Sequence, residues 1–393
     1  MSQLLNERWS ETKEALLEGL SGTRKSSMAV CLENTRRHLA ESATAGATSA
    51  GNIATLNRVI LPVIRRVMPT VIANEIIGVQ PMTGPVAQIH TLRVRYADGV
   101  GSGDVVTAGE EALSPFKIAQ AYSGNNASNG AAATTAAMEG TPGKRMSIQI
   151  LKSPVEAKSR KLSARWTFEA AQDAQAQQGI DIEAEIMAAL AQEITAEIDQ
   201  EILTSLRSLA SVEETYDQSL VSGTATFVGD EHAALAIQIN RVSNLIAQRT
   251  RRGSANWAVV SNQALTILQS ATTSAFARTT EGTFEAPTNT KFVGTLNGAM
   301  RIYVDAYKSD TDDNNQVLIG YKGTSEADAA AFYCPYIPLM SSGVVLDPAT
   351  FEPVVGFLTR YGYVELSNTA SSLGNAADYL GKVAITSANV SFK

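Results

Sequence analysis

The sequence predicts an α+β fold from which long arms project. A long helix with an apolar residue at every fourth position lies mid-chain, and short strand-like runs of β-branched residues follow it. Two stretches of small polar residues are too poor in apolar side chains to form a core. The chain has 393 residues and is 44% hydrophobic, which suits about two or three packed units.

The bulk composition excludes several classes of protein. The net charge is −7, whereas proteins that grip nucleic acid by its phosphates are usually basic. No apolar run approaches the roughly 20 residues of a membrane span. The N-terminus, MSQLLNERWSETKEALL, lacks the apolar region of a signal peptide. The two cysteines, Cys31 and Cys334, do not form a disulfide framework, so we expect synthesis in a reducing compartment.

The front of the chain changes character twice. Residues 1–41 have amphipathic helical spacing, interrupted by a hinge at GLSGTRKSS, residues 19–27. Residues 42–57 are small and polar, which favours an extended arm. Helical spacing returns over residues 58–69 and ends at Pro69.

A second arm is predicted between two groups of strands. AQIHTLRVRY has the pattern of a strand with one buried face, and residues 97–145 are then mostly Gly, Ala, Ser, Thr and Asn. Such a length is unusual for a simple connection. We expect an arm that is ordered by another molecule, with KRMSIQILKSPVEAKSRKLSARWTF as its returning strands.

The strongest helical pattern covers residues 181–206. Its apolar residues are spaced by four: Ile182, Ile186, Leu190, Ile194, Ile198, Ile202 and Leu206. Each step of four overshoots a turn by about 40°, so the stripe winds about 240° over its length. Asp181 is the predicted N-cap, and the acids that follow suit the positive end of the helix dipole. This pattern predicts a spine helix that meets different neighbours along its length.

The later part of the chain mixes both types of element. Residues 232–250 predict a helix that ends in the basic cluster Arg249, Arg251 and Arg252. That cluster is either a solvated loop tip or a salt-bridge contact with an acidic neighbouring subunit. NWAVVSNQALTILQSA predicts a strand and then a helix, and MRIYVDAY and NQVLIGYKG predict strands.

No catalytic or cofactor pattern emerges. The three histidines, His38, His90 and His232, have no partner at metal-binding spacing, and GLSGTRKS departs from the phosphate-loop pattern. Glu326 and Asp328 precede the aromatic segment FYCPYIPLM. We favour a solvated or intersubunit acidic pair; the alternative is a pair of hydrolytic carboxylates. We expect the aromatic segment to pack within its own domain; the alternative is packing against an adjacent subunit.

Five stretches match a known family in order. They are VIRRVMPTVIANEIIGVQPMTGPVAQIHTLRVRY, EAKSRKLSARWTFEAAQDAQAQQGIDIEAEIMAALAQEITAEIDQEIL, AQRTRRGSANWAVVSNQAL, RIYVDAY with VLIGYKGTSEADAAAFYCPYIPL, and FEPVVGFLTRYG. The chain resembles the major capsid proteins of T4-like tailed bacteriophages, a branch of the HK97-type shell proteins. It departs from the longer members because residues 97–145 cannot hold their inserted domain.

The resemblance implies an HK97-like architecture. Residues 1–57 would form an N-terminal arm, and residues 80–165 an extended loop lying over the next subunit. The peripheral domain, which holds the spine helix, would comprise residues 58–79, 166–219 and 346–393. Residues 220–345 would form the axial domain, which includes FYCPYIPLM.

The resemblance also implies a structural role without catalysis or cofactors. Homo-hexamers would form an icosahedral shell that encloses phage DNA without binding it specifically. Vertex, portal, scaffold and decoration proteins would be its partners. The protein would be made in the host bacterial cytoplasm and end in the virion. An encapsulin-like compartment is the alternative with the same fold, and a soluble hydrolase using Glu326 and Asp328 is the alternative from another class.

A processing site is implied at the front of the chain. T4-like proteases cut after Glu when Leu or Ile lies two residues earlier, and Leu39-Ala40-Glu41 followed by Ser42 fits that pattern. Residues 1–41 would then be a propeptide, cut where helical periodicity gives way to small residues. The alternative is that Glu41 only ends a helix.

Overall fold

The computed structural model describes most of the chain outside its arms. The described residues are 9–10, 13–17, 20, 22–44, 71–99, 108–109, 112, 122–123, 132, 134–140, 143–178, 181–217, 228–250, 252–271, 276–278, 290–305, 316–324, 328–347, 350, 352–367 and 375–387. The helix predicted over residues 58–69 and most of the two small-residue stretches lie outside them.

The described residues contain both helices and strands, with long runs of strands that have no helix between them, so the α+β prediction is confirmed. The α-helices are Gly22–Thr44 (α1), Ala73–Ile76 (α2), Thr135–Met138 (α3), Phe168–Gln178 (α4), Ile182–Leu209 (α5), Val228–Thr250 (α6) and Asn262–Ser270 (α7). The strands are Gly78–Val79 (β1), Val86–Tyr96 (β2), Met146–Glu156 (β3), Lys158–Arg165 (β4), Val212–Asp217 (β5), Trp257–Val260 (β6), Phe276–Arg278 (β7), Thr290–Leu296 (β8), Met300–Asp305 (β9), Gln316–Gly320 (β10), Ala331–Leu346 (β11), Pro353–Glu365 (β12) and Leu380–Ser387 (β13). A short 3₁₀ helix, Ala376–Tyr379, precedes β13.

The predicted spine helix is α5. Its N-cap is Asp181, whose side chain accepts a hydrogen bond from the Glu183 amide at 3.1 Å, as the sequence predicted. The second half of its apolar stripe is no more than 1% exposed: Ile194, Ile198, Ile202 and Leu206. The first half is only partly buried, because the winding stripe turns toward different surroundings there.

A seven-stranded mixed sheet forms the larger of two sheets in the body. Its order is β5-β13-β10-β6-β9-β8-β7. Helices α6 and α7 pack on one face through an apolar cluster that includes Ile239, Ile246 and Ile267. Side chains of its other face, among them Val259 and Leu318, join the core that contains the buried half of α5.

A four-stranded sheet, ordered β1-β11-β12-β4, contains the aromatic segment. Phe332, Tyr333 and Ile337 on β11 are almost fully buried, so the prediction of packing within the subunit is confirmed. The pairing of β11 with β12 shifts register just after Pro335 and again before Met340. A proline has no amide hydrogen to donate to a ladder, so irregular pairing there is expected.

The strand pairing does not follow the expected boundary between the axial and peripheral domains at residue 345. The expectation joined FYCPYIPLM to the axial residues, but β11 pairs with β12 across a short connection, as neighbouring strands usually do. Conversely, β5 and β13, which we had placed in the peripheral domain, pair within the seven-stranded sheet. Both corrections concern pairings that local sequence patterns do not reveal.

Helix α1 packs against the body and shortens the predicted hinge. It starts at Gly22, whose φ of +60° is a conformation that glycine adopts readily. Residues 22–27, which the sequence assigned to the hinge, are therefore part of the helix. Met28 and Leu32 are buried in the main core. The Asn34 side chain donates hydrogen bonds to the carbonyls of Met82 at 2.6 Å and Tyr336 at 3.1 Å.

The spine helix should not tolerate a buried charge. Ile194 is 1% exposed within the apolar core, so Ile194→Asp would bury a carboxylate among apolar side chains. We expect insoluble or unassembled protein, measured by sedimentation of the expressed variant. The matched control is Gln192→Asp, which places the same residue on the exposed side of the same turn. Soluble, assembling Ile194→Asp protein would show that Ile194 is not a core residue.

Candidate subunit-contact surfaces

A two-stranded ribbon extends away from the two sheets. Strands β2 and β3 pair antiparallel in unbroken register from Val86 opposite Glu156 to Tyr96 opposite Met146. Eleven residues in each strand give a ribbon about 35 Å long, at about 3.4 Å per residue. The ribbon forms its own two-stranded sheet, separate from the other two.

The base of the ribbon is anchored by a small apolar cluster. Met82 and Val155 pack with Phe332 and Cys334 of β11. Gly362 of β12 permits this approach, because a Cβ atom there would lie 2.4 Å from Val155 Cγ1. The ribbon therefore starts from a fixed point on the four-stranded sheet.

The far end of the ribbon has a small core of its own. The rings of Tyr96 and Tyr122 lie 4.4 Å apart, and Ala112 is buried beside them. Asp98 accepts a hydrogen bond from the Arg145 amide at 2.8 Å and forms a salt bridge with its guanidinium at 3.2 Å. These contacts hold the pKa of Asp98 below its ordinary value. The two strands are thus closed at the tip as well as at the base.

Between its two ends the ribbon carries an exposed apolar stripe. Met146, Ile148 and Ile150 alternate along β3, so they share one face, and they are 48%, 70% and 60% exposed. We call these three residues the ribbon stripe. The strand was predicted but the stripe was not, although the period-two pattern M-S-I-Q-I contains the signal.

A second exposed apolar group lies at the end of β11. Val344, Val345 and Leu346 are 41%, 56% and 50% exposed, in the pairing with β12 that ends at Pro353. Exposed aliphatic groups of this kind are typical of surfaces that another molecule covers.

The predicted basic cluster finds acidic partners within the same chain. The Arg249 guanidinium pairs with the Glu213 carboxylate through two hydrogen bonds, of 2.8 and 2.9 Å. Arg252 forms an ion pair with Asp328. Arg251 and Glu326 lie outside the described residues, so the carboxylate pair proposed for hydrolysis is described only at Asp328. These in-chain contacts supply partners for Arg249, Arg252 and Asp328 without a neighbouring subunit.

The predicted processing site lies inside a helix. The backbone of Glu41 and Ser42 belongs to α1, which ends at Thr44. The expectation placed the cut where helical structure stops; the structure extends the helix about one turn further. A protease needs extended backbone, so the last turn of α1 would have to unwind before cleavage.

The described residues contain no group of three or more His, Cys, Asp or Glu side chains arranged to hold a metal ion. His232 is buried, with Nδ1 2.5 Å from Ser270 Oγ. Burial lowers its pKa, which suits a neutral packing residue.

Comparison with known proteins agrees with these surfaces. A family model described as "Major capsid protein Gp23" matches residues 53–141 and 106–385. The chain belongs to the Gp23 major capsid protein family. The matched segments together span most of the sequence, including the ribbon, both sheets and the spine helix.

Curated relatives are similar to this chain over most of its length. The major capsid protein of Vibrio phage KVP40 is 29% identical to this chain, and the alignment covers 84% of this chain and 80% of the KVP40 protein. That of Enterobacteria phage T4 is 29% identical over 81% of this chain and 76% of its own. The prediction of a T4-like major capsid protein is confirmed, and the encapsulin-like alternative is not favoured.

Solved structures are more distant. A structure described as "The capsid of Myoviridae Phage XM1" covers 78% of this chain and 89% of its own at 12% identity, with a TM-score of 0.43. One from Microbacterium phage Oxtober96 covers 80% of this chain and 90% of its own at 10% identity, with a TM-score of 0.46.

The Arg249–Glu213 pair should make subunit stability depend on pH. The Arg249 hydrogen bonds lower the pKa of Glu213, so their contribution is complete above the ordinary value of 4.5 and is lost as pH falls through the lowered value. We expect the stability difference between wild type and Glu213→Gln to be largest near neutrality and to shrink below pH 4.5. Urea unfolding of the unassembled subunit measures it.

The control for this titration is Glu193→Gln, an exposed residue in the middle of α5. It should leave the pH profile of wild type unchanged. A Glu213→Gln difference that stayed constant from neutral to acidic pH would contradict the paired geometry.

Proposed function

We propose that this chain is the shell subunit of a phage head, which assembles through hexamers into an icosahedral shell around DNA. Membership of the Gp23 family supports the head assignment. The observation that carries the proposal at the level of residues is the ribbon stripe: three large apolar side chains exposed on an arm that is too thin to bury them.

The ribbon stripe provides affinity for a neighbouring subunit. A two-stranded ribbon has one layer, so an apolar face on it is buried only when another molecule or another segment covers it. Complete burial of an Ile or Met side chain is worth about 1.5–3 kcal/mol, as an upper estimate. Repeated around a ring of subunits, such contacts hold neighbours together without any chemistry at the interface.

We assign the HK97-type parts to the observed elements with modified boundaries. The spine helix α5 and the four-stranded sheet represent the peripheral domain, and the seven-stranded sheet with α6 and α7 the axial domain. The β2–β3 ribbon is the extended loop, whereas β4, which the expectation included in that loop, pairs with β12. The N-terminal arm remains assigned to residues 1–57.

The charge of the chain suits a container for nucleic acid. A net charge of −7 disfavours adhesion to phosphates, so DNA would be enclosed without specific binding. No helix among the described residues has the length and apolarity to cross a bilayer. We place the protein in the virion after synthesis in the host bacterial cytoplasm, with vertex, portal, scaffold and decoration proteins as partners.

We also propose processing between Glu41 and Ser42, with residues 1–41 as a removable segment. The sequence pattern supports it, and the site lies only about one turn from the end of α1. Mass spectrometry of mature particles should find chains that begin at Ser42. Particles composed of chains with an intact N-terminus would refute it.

Substitution within the ribbon stripe tests the shell function most simply. Ile148→Lys adds a charge at a 70% exposed position, so the unassembled subunit should keep its stability. In the shell the ammonium group would be buried against a neighbour, so we expect assembly to fail. Electron microscopy and sedimentation velocity measure this outcome.

The matched control is Gln149→Lys, which adds the same charge on the opposite face of the same strand. It should assemble as wild type does. Normal shells from Ile148→Lys would remove the stripe from the interface. Failure of the wild-type chain to form any shell or capsomer would count against the function itself.

A further inference from the structure

A buried ion pair joins the spine helix to the seven-stranded sheet. Arg207 Nη2 lies 2.8 Å from Asp305 Oδ2, and the two side chains are 7% and 0% exposed. Arg207 belongs to the last turns of α5, and Asp305 is the final residue of β9. The other ion pairs of the described residues have at least one partner that is substantially more exposed.

The spine helix holds this carboxylate at two points. Gln200 Nε2 donates to Asp305 Oδ1 at 2.8 Å, while Arg207 donates to Oδ2. Residues seven apart lie only about 20° short of two full turns, so both donors project from one face of α5. The two donor residues lie about 10 Å apart along the axis, and their side chains converge on one carboxylate, so this face of the helix is held against the end of β9.

One further polar contact joins the helix to this sheet beside the pair: Lys382 Nζ of β13 donates to the Arg207 carbonyl at 3.2 Å. The core at this place is largely aliphatic, with Ile202 and Leu206 of the helix in one cluster with Val259 and Leu318 of the sheet. Apolar burial is non-directional, so such surfaces can shift against each other at small cost.

The Arg207–Asp305 pair contributes little to the free energy of unfolding for the cost of burying it. Arg207 Nε and Nη1 are buried without a hydrogen-bond partner among the described residues. Buried ion pairs often stabilise no more than apolar residues of equal volume, and unpaired donors add a further cost. The geometry of the pair therefore suits a role in fixing how α5 is oriented on the seven-stranded sheet.

On its other side the same helix is tied to the four-stranded sheet. Arg160 of β4 donates to Glu197 at 2.8 Å and Glu201 at 2.5 Å. Tyr361 of β12 also donates to Glu201. Because α5 is bonded to both sheets, the position of the helix determines how the two sheets are oriented relative to each other.

We propose that Arg207 and Asp305 are positioning residues that set the angle between the two sheets, and through it the curvature of the shell. The inference rests on the proposed shell function. A small rotation between the halves of a subunit repeats at every copy, so a fixed angle yields shells of one size and a variable angle yields several.

The test replaces the pair by apolar residues in Arg207→Met/Asp305→Leu, made in the full-length chain. We expect subunits that fold and assemble but lose the single size class, with diameters spread or tubes formed, measured by cryo-electron microscopy of many particles. A uniform wild-type diameter would overturn the proposal. Thermal unfolding of unassembled subunits separates this effect from a loss of stability.

Two further variants keep the test decisive. Arg207→Lys keeps the charge but loses the planar guanidinium group, so it should also broaden the size distribution; if the double variant is insoluble, this variant decides. The matched control is Arg241→Met/Glu214→Gln, a pair whose arginine is 71% exposed and which joins α6 to β5 without touching α5; it should leave shell size unchanged. Wild-type protein that forms no shells would refute the proposed function instead.

Discussion

The structure depends on the burial of one helix between two sheets. The second half of α5 shares an apolar core with residues of both, so neither sheet could lose the helix and keep that face covered. Hydrophobic burial supplies most of the free energy of such an arrangement, but it leaves orientation weakly determined. Polar contacts at the two sides of the helix supply the direction: Arg160 toward the four-stranded sheet and Arg207 toward the seven-stranded one.

The ribbon shows the opposite physical situation. It has no second layer, so it relies on a small aromatic core at its tip and an aliphatic cluster at its base. Between them, the ribbon stripe stays exposed because none of the residues that the structure describes covers it. A subunit of this kind is stable at its centre and incomplete at its margin. That distribution suits a protein whose final structure is reached only with its neighbours.

Local patterns predicted the elements that local physics determines. The period of four and the acid at residue 181 located α5, because helix periodicity and capping act within a few residues. Alternation located the strands of the ribbon. The stripe could also have been predicted, since its three residues alternate in plain view.

Other features depend on contacts that sequence patterns do not encode. Arg207 and Asp305 are separated by 98 positions, and neither has a neighbour in sequence that reveals the pairing. The position of β13 is equally hidden in the sequence, because this strand pairs with β5 and β10, which lie far earlier in the chain. The family resemblance supplied the capsid assignment but not the sheet boundaries, because a few residues at a domain junction carry little of the similarity.

The central claim is that the ribbon stripe is open in the subunit and covered in the shell. Oxidative footprinting of Met146 measures this directly, because a thioether is oxidised only where oxidant reaches it. Met146 should be oxidised rapidly in unassembled subunits and slowly in assembled shells. Met187, buried in the core, should stay protected in both forms. Equal oxidation of Met146 in the two forms would contradict the account.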